Sequence, residues 1–360
     1  MEDRVQNADR SEPVNIGMIG AGFVGQLAHL ANYSDIPDCR VLGLAEVRPR
    51  LRELVCRRYD IPRAYAQHSE MLEDPDIEAV VVVTRRHHTG PIALDCLTAG
   101  RHLLTEKPMA ATLAQATTLV EAQQRDTVYA VGSMRRHDEG VEMARQMLAE
   151  LRDTKELGDI LLVRLYCYGG QDYCNMPGFV ASGEPRPEEL PGWSVAPEWL
   201  PRTWHDDYDN FVNVYVHAIN LLRHICADTP EVRHADLRRR QGGTVLLDFA
   251  GFPAVLEYGE MDHNDWIEGL EVVFSRGRLK LSLPPAMLRN VPAKVELYRN
   301  TGRGEEIVAP LANWSWSFRR QAEAFVADVR ERRQPIASGQ DALEDMRLIE
   351  AIWQAHVGNQ

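Results

Sequence analysis

Two stretches of this 360-residue chain hold side chains whose types and spacing suit proton transfer. In the helical run NFVNVYVHAINLLRHI, Asn213, His217 and Asn220 fall at i, i+4 and i+7 and share one face, while Val212, Val216 and Ile219 form an adjoining apolar one. Amides and an imidazole beside a core-seeking face are costly unless they meet water or a ligand. A hydrogen-bonded core histidine is the plainer reading of a lone His. In HLLTEKP, Glu106, Lys107 and Pro108 stand at the end of an apolar strand. Ligands of open α/β sheets bind just beyond such ends, and an amine partly desolvated there, beside a cationic group, has a lowered pKa suited to acid/base work near neutral pH. The plainer reading is an exposed lysine before a turn proline.

A further stretch supplies something for these groups to act with. In VNIGMIGAGFVG, an apolar strand over 14–19 stops at Gly20, Gly22 and Gly25, spaced G-x-G-x-x-G ahead of a helical run, with Phe23 and Val24 inside the turn. The first glycine permits the tight turn, the second lets the backbone approach a pyrophosphate, and the third lets the helix pack on the strand, its N-terminus facing the anion. A second apolar run, 41–45, ends in Glu46, about 20 residues further on, where a carboxylate suits ribose hydroxyls. Such an acid repels a 2′-phosphate, so NAD is the preferred cofactor and NADP the alternative. Arg48 and Arg50 lie close enough to take a phosphate if Glu46 turns away. Thr84, Arg85, His88 and Glu106, with Lys107, are the other candidate cofactor contacts.

The elements that must position these groups change character along the chain. After a leader over 1–13, expected to be disordered, Val-rich strands alternate with helices: strands at 14–19, 41–45, 79–84, HLLTEKP and 128–133, helices to about 33, over 49–59, 90–99 and 113–124. Continuous apolar runs are those of a parallel sheet covered on both faces, so 14–136 reads as a doubly wound dinucleotide-binding Rossmann domain. Beyond a helix at 139–151 the strands follow one another and alternate: 160–168, 231–239, 244–249, 254–258, 270–274, 279–283 and 294–298. They form a mostly antiparallel sheet in a second α/β domain, 137–313, interrupted by the helix from about 210 to 225. Helices over about 314–332 and 340–356, in the span 314–360, pack back on both domains. Inside the second domain, 171–210 is an irregular insert with six of the chain's 20 prolines, and with Trp193, Trp199 and Trp204. It is acidic (Asp172, Glu184, Glu188, Glu189, Glu198, Asp206, Asp207 and Asp209 against Arg186 and Arg202). It reads as an oligomer arm or, in part, an active-site lid.

Composition narrows the classes. A formal charge of −13 excludes the basic face that nucleic acid requires. No apolar window reaches membrane length and the N-terminus has no apolar signal core, so a cytoplasmic protein with no membrane partner is expected. The six cysteines make no C-x-x-C pair, and His87 and His88, sequential on an extended segment, would point apart; no metal site is expected.

GAGFVG with Glu46, EDPDIEAVVVVT, AGRHLLTEKPMA, VGSMRRHDEG and VHAINLLRHI together resemble the glucose–fructose oxidoreductase/inositol dehydrogenase/rhizopine catabolism (Gfo/Idh/MocA) family of nicotinamide-dependent oxidoreductases. The resemblance implies a Rossmann domain followed by an α/β domain whose large open sheet often forms the oligomer interface, hence a homo-oligomer, dimer or tetramer. It implies that Lys107 contacts substrate and cofactor and that His217 is the acid/base at the substrate hydroxyl. Many relatives carry Asp where Asn213 stands; an amide takes up no proton, so Asn213 is left to orient substrate. Where relatives often have Pro-Asn after Thr84, this chain has Arg85 and Arg86, to steady the cofactor or an anionic substrate group. Arg135, Arg136, His137 and Asp138 are further substrate candidates, Arg136 foremost. The expected activity is oxidation of a secondary hydroxyl of a sugar, amino sugar or cyclitol to a ketone, or the reverse, on a small polyol. The alternatives are a redox-neutral, glycosidase-like reaction and a dinucleotide sensor. If Asp206, Asp207 and Asp209 face the pocket, a cationic aminocyclitol or amino sugar becomes attractive.

Overall fold

The computed structural model describes residues 12–171, 176–185, 192–238, 242–300 and 302–358. Nearly all of the expected leader, and Asp172, Cys174, Arg186, Glu188 and Glu189 of the insert, lie outside the described residues. The continuous apolar runs form buried parallel strands: β1 (Val14–Ile19), β2 (Cys39–Ala45), β3 (Arg63–Tyr65), β4 (Ala79–Val82), β5 (His102–Thr105) and β6 (Tyr129–Val131), in the order β3-β2-β1-β4-β5-β6. Val80, Val81 and Val82 are all fully buried, as a sheet covered on both faces demands. The strand order reverses between β1 and β4, where a crevice opens beyond the carboxyl ends.

The helices of this layer are α1 (Ala31–Tyr33), entered through a π-helical turn at Gly25–Leu30, then α2 (Pro49–Arg58), α3 (His68–Leu72), α4 (Arg86–Thr98) and α5 (Leu113–Ala122). The π winding replaces the plain helix expected after the glycines, and β3 and α3 are additional to the expected elements. α4 begins about one turn before its expected start, because Pro91 lies inside it rather than at its head. A proline has no N–H to give the carbonyl four residues back, here that of His87, and the backbone N–H of Trp193 takes its place at 2.8 Å. His87 and His88 are therefore helical, not extended, with ring centroids 3.9 Å apart.

After α6 (Glu139–Thr154) the chain builds an eight-stranded sheet from β7 (Ile160–Gly169), β8 (Glu231–Leu237), β9 (Gly243–Phe249), β10 (Phe252–Glu260), β11 (Trp266–Phe274), β12 (Gly277–Leu283), β13 (Lys294–Asn300) and β14 (Glu305–Val308). Its order is β14-β13-β12-β11-β7-β10-β9-β8, with β7 and β10 parallel and the other pairs antiparallel. Its inner face, with Val163, Leu165, Leu256 and Leu270, packs on α7 (His205–Cys226) through Phe211, Tyr215 and Ile219. Its outer face leaves Leu246, Ile267 and Ile307 exposed.

α7 starts five residues before the expected helix, so Asp206 and Asp207 sit in its first turn, where carboxylates complement the helix dipole. Of the last helices, α8 (Ser317–Glu331) buries Phe325, Val326 and Val329 with Ile16 and Met18 of the first sheet, and α9 (Gly339–Gly358) packs into the core beside α7. Among the described residues no helix is long and apolar enough to cross a membrane.

Candidate active site

The glycine turn is shaped as its spacing implies. Gly20 has φ +91°, and a Cβ there would lie 2.3 Å from the carbonyl oxygen of Val83; a Cβ on Gly25 would lie 2.8 Å from that of Gly20. At Gly22 a Cβ would meet nothing within 4 Å, so the backbone faces open space on the side where a pyrophosphate would approach. Glu46 is buried at the end of β2. Its carboxylate accepts from the backbone N–H of Ala21 at 3.0 Å, from that of Arg48 at 3.1 Å, and from the Arg48 guanidinium at 2.8 and 3.0 Å. Burial opposes its ionisation; the bonds from Arg48 and Ala21 outweigh that and hold it below the usual carboxylate range. All of its acceptor sites are occupied, so a ribose hydroxyl reaches Glu46 only when Arg48 lets go of one oxygen.

Beyond the carboxyl ends of β4 and β5 lies a cavity of about 530 Å³, walled by α7, the inner face of the second sheet and Phe318. It brings together Val24, Thr84, Arg85, Glu106, Lys107, Asn213 and His217, all expected from the sequence. Glu106 is held by the buried His29, whose Nε2 lies 2.8 Å from its carboxylate. Lys107 Nζ donates to the backbone carbonyl of Asn213 at 2.8 Å, tying the end of β5 to α7. His217, one turn further along α7, has its pKa pushed well below the usual 6.5 by burial and by the charges of Lys107 and Arg135. The imidazole is therefore neutral at physiological pH and can accept a proton.

Of the other residues of the cavity, Arg135, Arg86 and Asp209 were lesser candidates from the sequence, whereas His87, Val195, Trp266 and Glu268 were not expected there. Arg135, rather than Arg136, enters it and is paired with Glu268, which also accepts from Trp266 Nε1 at 2.9 Å. Arg86 and Asp209 form an ion pair on the wall, with 2.6 Å between Arg86 Nε and Asp209 Oδ1. His87 and Val195 also line it. For Glu268 and Trp266 the sequence carried no signal, since both precede the strand expected over 270–274 and belong to the earlier start of β11.

Other expected contacts do not reach the cavity. His88 does not line it; His87 does. Arg136 and Asn220 are fully buried in a structural network: Arg136 Nε donates to Asn220 Oδ1 at 2.8 Å, and Asn220 Nδ2 donates to Asp345 of α9 at 2.6 Å. Arg223 completes it, donating to Asp345 at 2.5 Å. His137 is buried, and Asp138 caps α6, accepting from the backbone of Gly140 and of Ala293, both at 2.9 Å. Neither touches the cavity. Asp209 alone of the three acids near the start of α7 lines it, and Arg86 neutralises it.

Residues 14–133 match the family model for the oxidoreductase family with an NAD-binding Rossmann fold, Gfo/Idh/MocA. The match spans 120 of the 360 residues, the part of the chain that builds the six-stranded parallel sheet. Among curated relatives, an inositol 2-dehydrogenase/D-chiro-inositol 3-dehydrogenase of Lacticaseibacillus casei is 30% identical over 155 residues, 42% of this chain and 43% of that protein. A trans-1,2-dihydrobenzene-1,2-diol dehydrogenase of Sus scrofa is 32% identical over 46% of each chain. The matched length is thus less than half of these relatives. Solved structures share the fold along nearly the whole chain. A levoglucosan dehydrogenase in complex with NADH and levoglucosan superposes with a TM-score of 0.75 at 18% identity, over 97% of this chain and 98% of that one. A 3-ketoreductase of Actinomadura kijaniata in complex with TDP-benzene and NADP gives 0.72 at 20% identity, over 96% and 98%.

Proposed function

We propose that the protein is a nicotinamide-dependent dehydrogenase that oxidises a secondary hydroxyl of a neutral sugar or cyclitol to a ketone, or carries out the reverse reduction. The observation that carries this reading is the convergence of Lys107 and a neutral His217 in one cavity, beyond the glycine turn and the ends of β4 and β5. The glycine cradle and Glu46 fit a dinucleotide, which when bound supplies a hydride acceptor or donor. His217 takes the hydroxyl proton on its imidazole during oxidation and returns it during reduction. Lys107, fixed by Asn213, places a positive charge beside the alcohol oxygen and stabilises the alkoxide character that develops there. Asn213 orients a neighbouring hydroxyl. Each cavity carboxylate is matched by a cation or imidazole (Glu106 by His29, Asp209 by Arg86, Glu268 by Arg135), which favours a neutral polyol over an amino sugar or aminocyclitol. NAD is favoured over NADP because Arg48 is already committed to Glu46.

The names of the relatives given above, all dehydrogenases or a ketoreductase, favour neither a redox-neutral glycosidase-like reaction nor a dinucleotide sensor. The exposed apolar residues of the open sheet, Leu246, Ile267 and Ile307, support a homo-oligomer assembled through that face. A screen of cyclitols, sugars and anhydrosugars with NAD and NADP, read by absorbance of the reduced nicotinamide, tests the activity. Turnover of a neutral polyol is expected; no turnover of any of them, with NADH still binding, refutes the dehydrogenase reading.

A further inference from the structure

One described segment of the insert, 176–185, lies across the dinucleotide end of the first domain, where the mechanism above makes no use of it. Gln26, just after the glycine turn, donates Nε2 to the carbonyl of Val180 at 2.9 Å and accepts from its N–H at 2.7 Å. The ring of Phe179 stands edge-on to that of Phe23, centroids 5.4 Å apart. The strap is thereby laid over the turn that faces the pyrophosphate. Four residues past Val180, the carboxylate of Glu184 reaches the first turn of α2 and accepts from the backbone N–H of Arg50 at 3.0 Å and of Leu51 at 2.9 Å. Partial burial opposes ionisation of Glu184, and hydrogen bonds from Ser182 and these two amides outweigh it, so the group is a carboxylate at neutral pH.

The place of this contact gives it meaning. The first amides of a helix are donors for an anion. α2 begins directly after Glu46 and Arg48, the point on this fold where a cofactor's 2′-position is read: by an acid when it is a hydroxyl, by an arginine when it is a phosphate. Here the donors at the head of α2 already hold an anion supplied by the chain, and Arg48 is committed to a second carboxylate, Glu46. The geometry points to Glu184 as a specificity-determining residue that rejects dinucleotides carrying a 2′-phosphate. A phosphate arriving at the head of α2 must expel a carboxylate held at two points, or sit against it. The neutral hydroxyls of NAD require neither.

This inference rests on the dinucleotide reading of the glycine turn, and its test separates the two. NADH and NADPH are titrated into the full chain by nicotinamide fluorescence, with wild type, Glu184→Gln and Glu184→Ala. Glutamine keeps the shape and removes the charge; alanine removes the contact as well. Glu184→Gln is expected to tighten NADPH by about ten-fold or more while NADH moves by less than about two-fold, with the gain shrinking as salt is raised. Wild-type binding of NADH with an unchanged NADPH-to-NADH ratio in both variants overturns the role of Glu184 and leaves the dinucleotide site standing. Binding of neither nucleotide by wild type overturns the dinucleotide reading and this inference with it.

Discussion

At the scale of single residues, the proposal makes Lys107 and His217 separable from the cofactor cradle. Lys107→Ala removes the charge beside the alcohol oxygen and the tie to the Asn213 carbonyl, but nothing that Glu46 or the glycine turn contributes. Turnover is expected to fall by roughly 10²- to 10⁴-fold, with NADH affinity changing by no more than a few-fold in fluorescence titration. Turnover within a few-fold of wild type would remove Lys107 from the mechanism. His217→Gln should lose turnover to a similar degree. In wild type, because burial and two neighbouring cations hold this imidazole neutral, kcat/KM for oxidation should show no loss from its protonation as pH is lowered through 6.5, the ordinary histidine value. An inflection at 6.5 that disappears in His217→Gln would contradict the neutral, buried base. The reading of HLLTEKP and of the Asn213–His217 stripe therefore led to residues that meet. The choice of Arg136 over Arg135 did not, since neighbours in a short 3-10 turn, Met134–His137, point in different directions that no sequence period reveals.

At the scale of elements, Asn220 shows where helical periodicity stops being informative. It lies on the same stripe of α7 as Asn213 and His217, but α9, more than a hundred residues later, covers that end and supplies Asp345. A partner so distant in sequence leaves no local mark. The same lack of local signal hid the start of α7: Trp204 caps it with no side-chain hydrogen bond, and Asp206, Asp207 and Asp209 blend into a proline-rich acidic insert. The apolar runs of β1 and β4, by contrast, were legible because burial on both faces needs no partner-specific information. The network around Asp345 is a joint between α7, α9 and the turn that carries Arg135. Asp345→Ala takes from Arg223 its buried ion-pair partner and leaves Arg223 and Arg136 only the part-exposed Asp341; breaking a buried pair costs about 3–5 kcal/mol, and the remaining Asp341 puts the loss toward the lower end. Chemical denaturation should register that loss, while KM for the polyol in the folded variant stays within about three-fold of wild type. A larger rise in KM would mean that Asn220 reaches substrate after all.

At the scale of the whole molecule, the histidines set how the fold meets acid. Burial, with Arg320 and Arg136 nearby, pushes His137 down to about 3, and burial, with Arg136 and Arg145, does the same to His224. The unfolded chain protonates both at the ordinary 6.5, the folded chain only near 3. Below about pH 6.5 the unfolded state therefore binds more protons, and stability falls as pH falls, at up to about 1.4 kcal/mol per pH unit for each histidine. His217 acts in the same sense. Burial raises Asp138 and Asp345 from 3.8, so their proton uptake favours the folded state, but only as pH approaches the carboxylate range. Between about pH 6.5 and 5 the histidines act largely unopposed. The unfolding midpoint of the full chain, followed by circular dichroism, should be level from about pH 7 to 8 and drop steadily from about pH 6.5 to 5. Replacing His224 with Gln should flatten that drop. An equally steep fall in the variant would place the acid sensitivity on other groups. Because the folded chain keeps His217 neutral across this range, a bound dinucleotide and polyol that favour its neutral form should add about the same unfolding free energy at pH 5.5 as at pH 7.5, and a clearly smaller gain at pH 5.5 would show that the folded imidazole takes up a proton there, which ties the acid stability of the fold to the proposed base of its reaction.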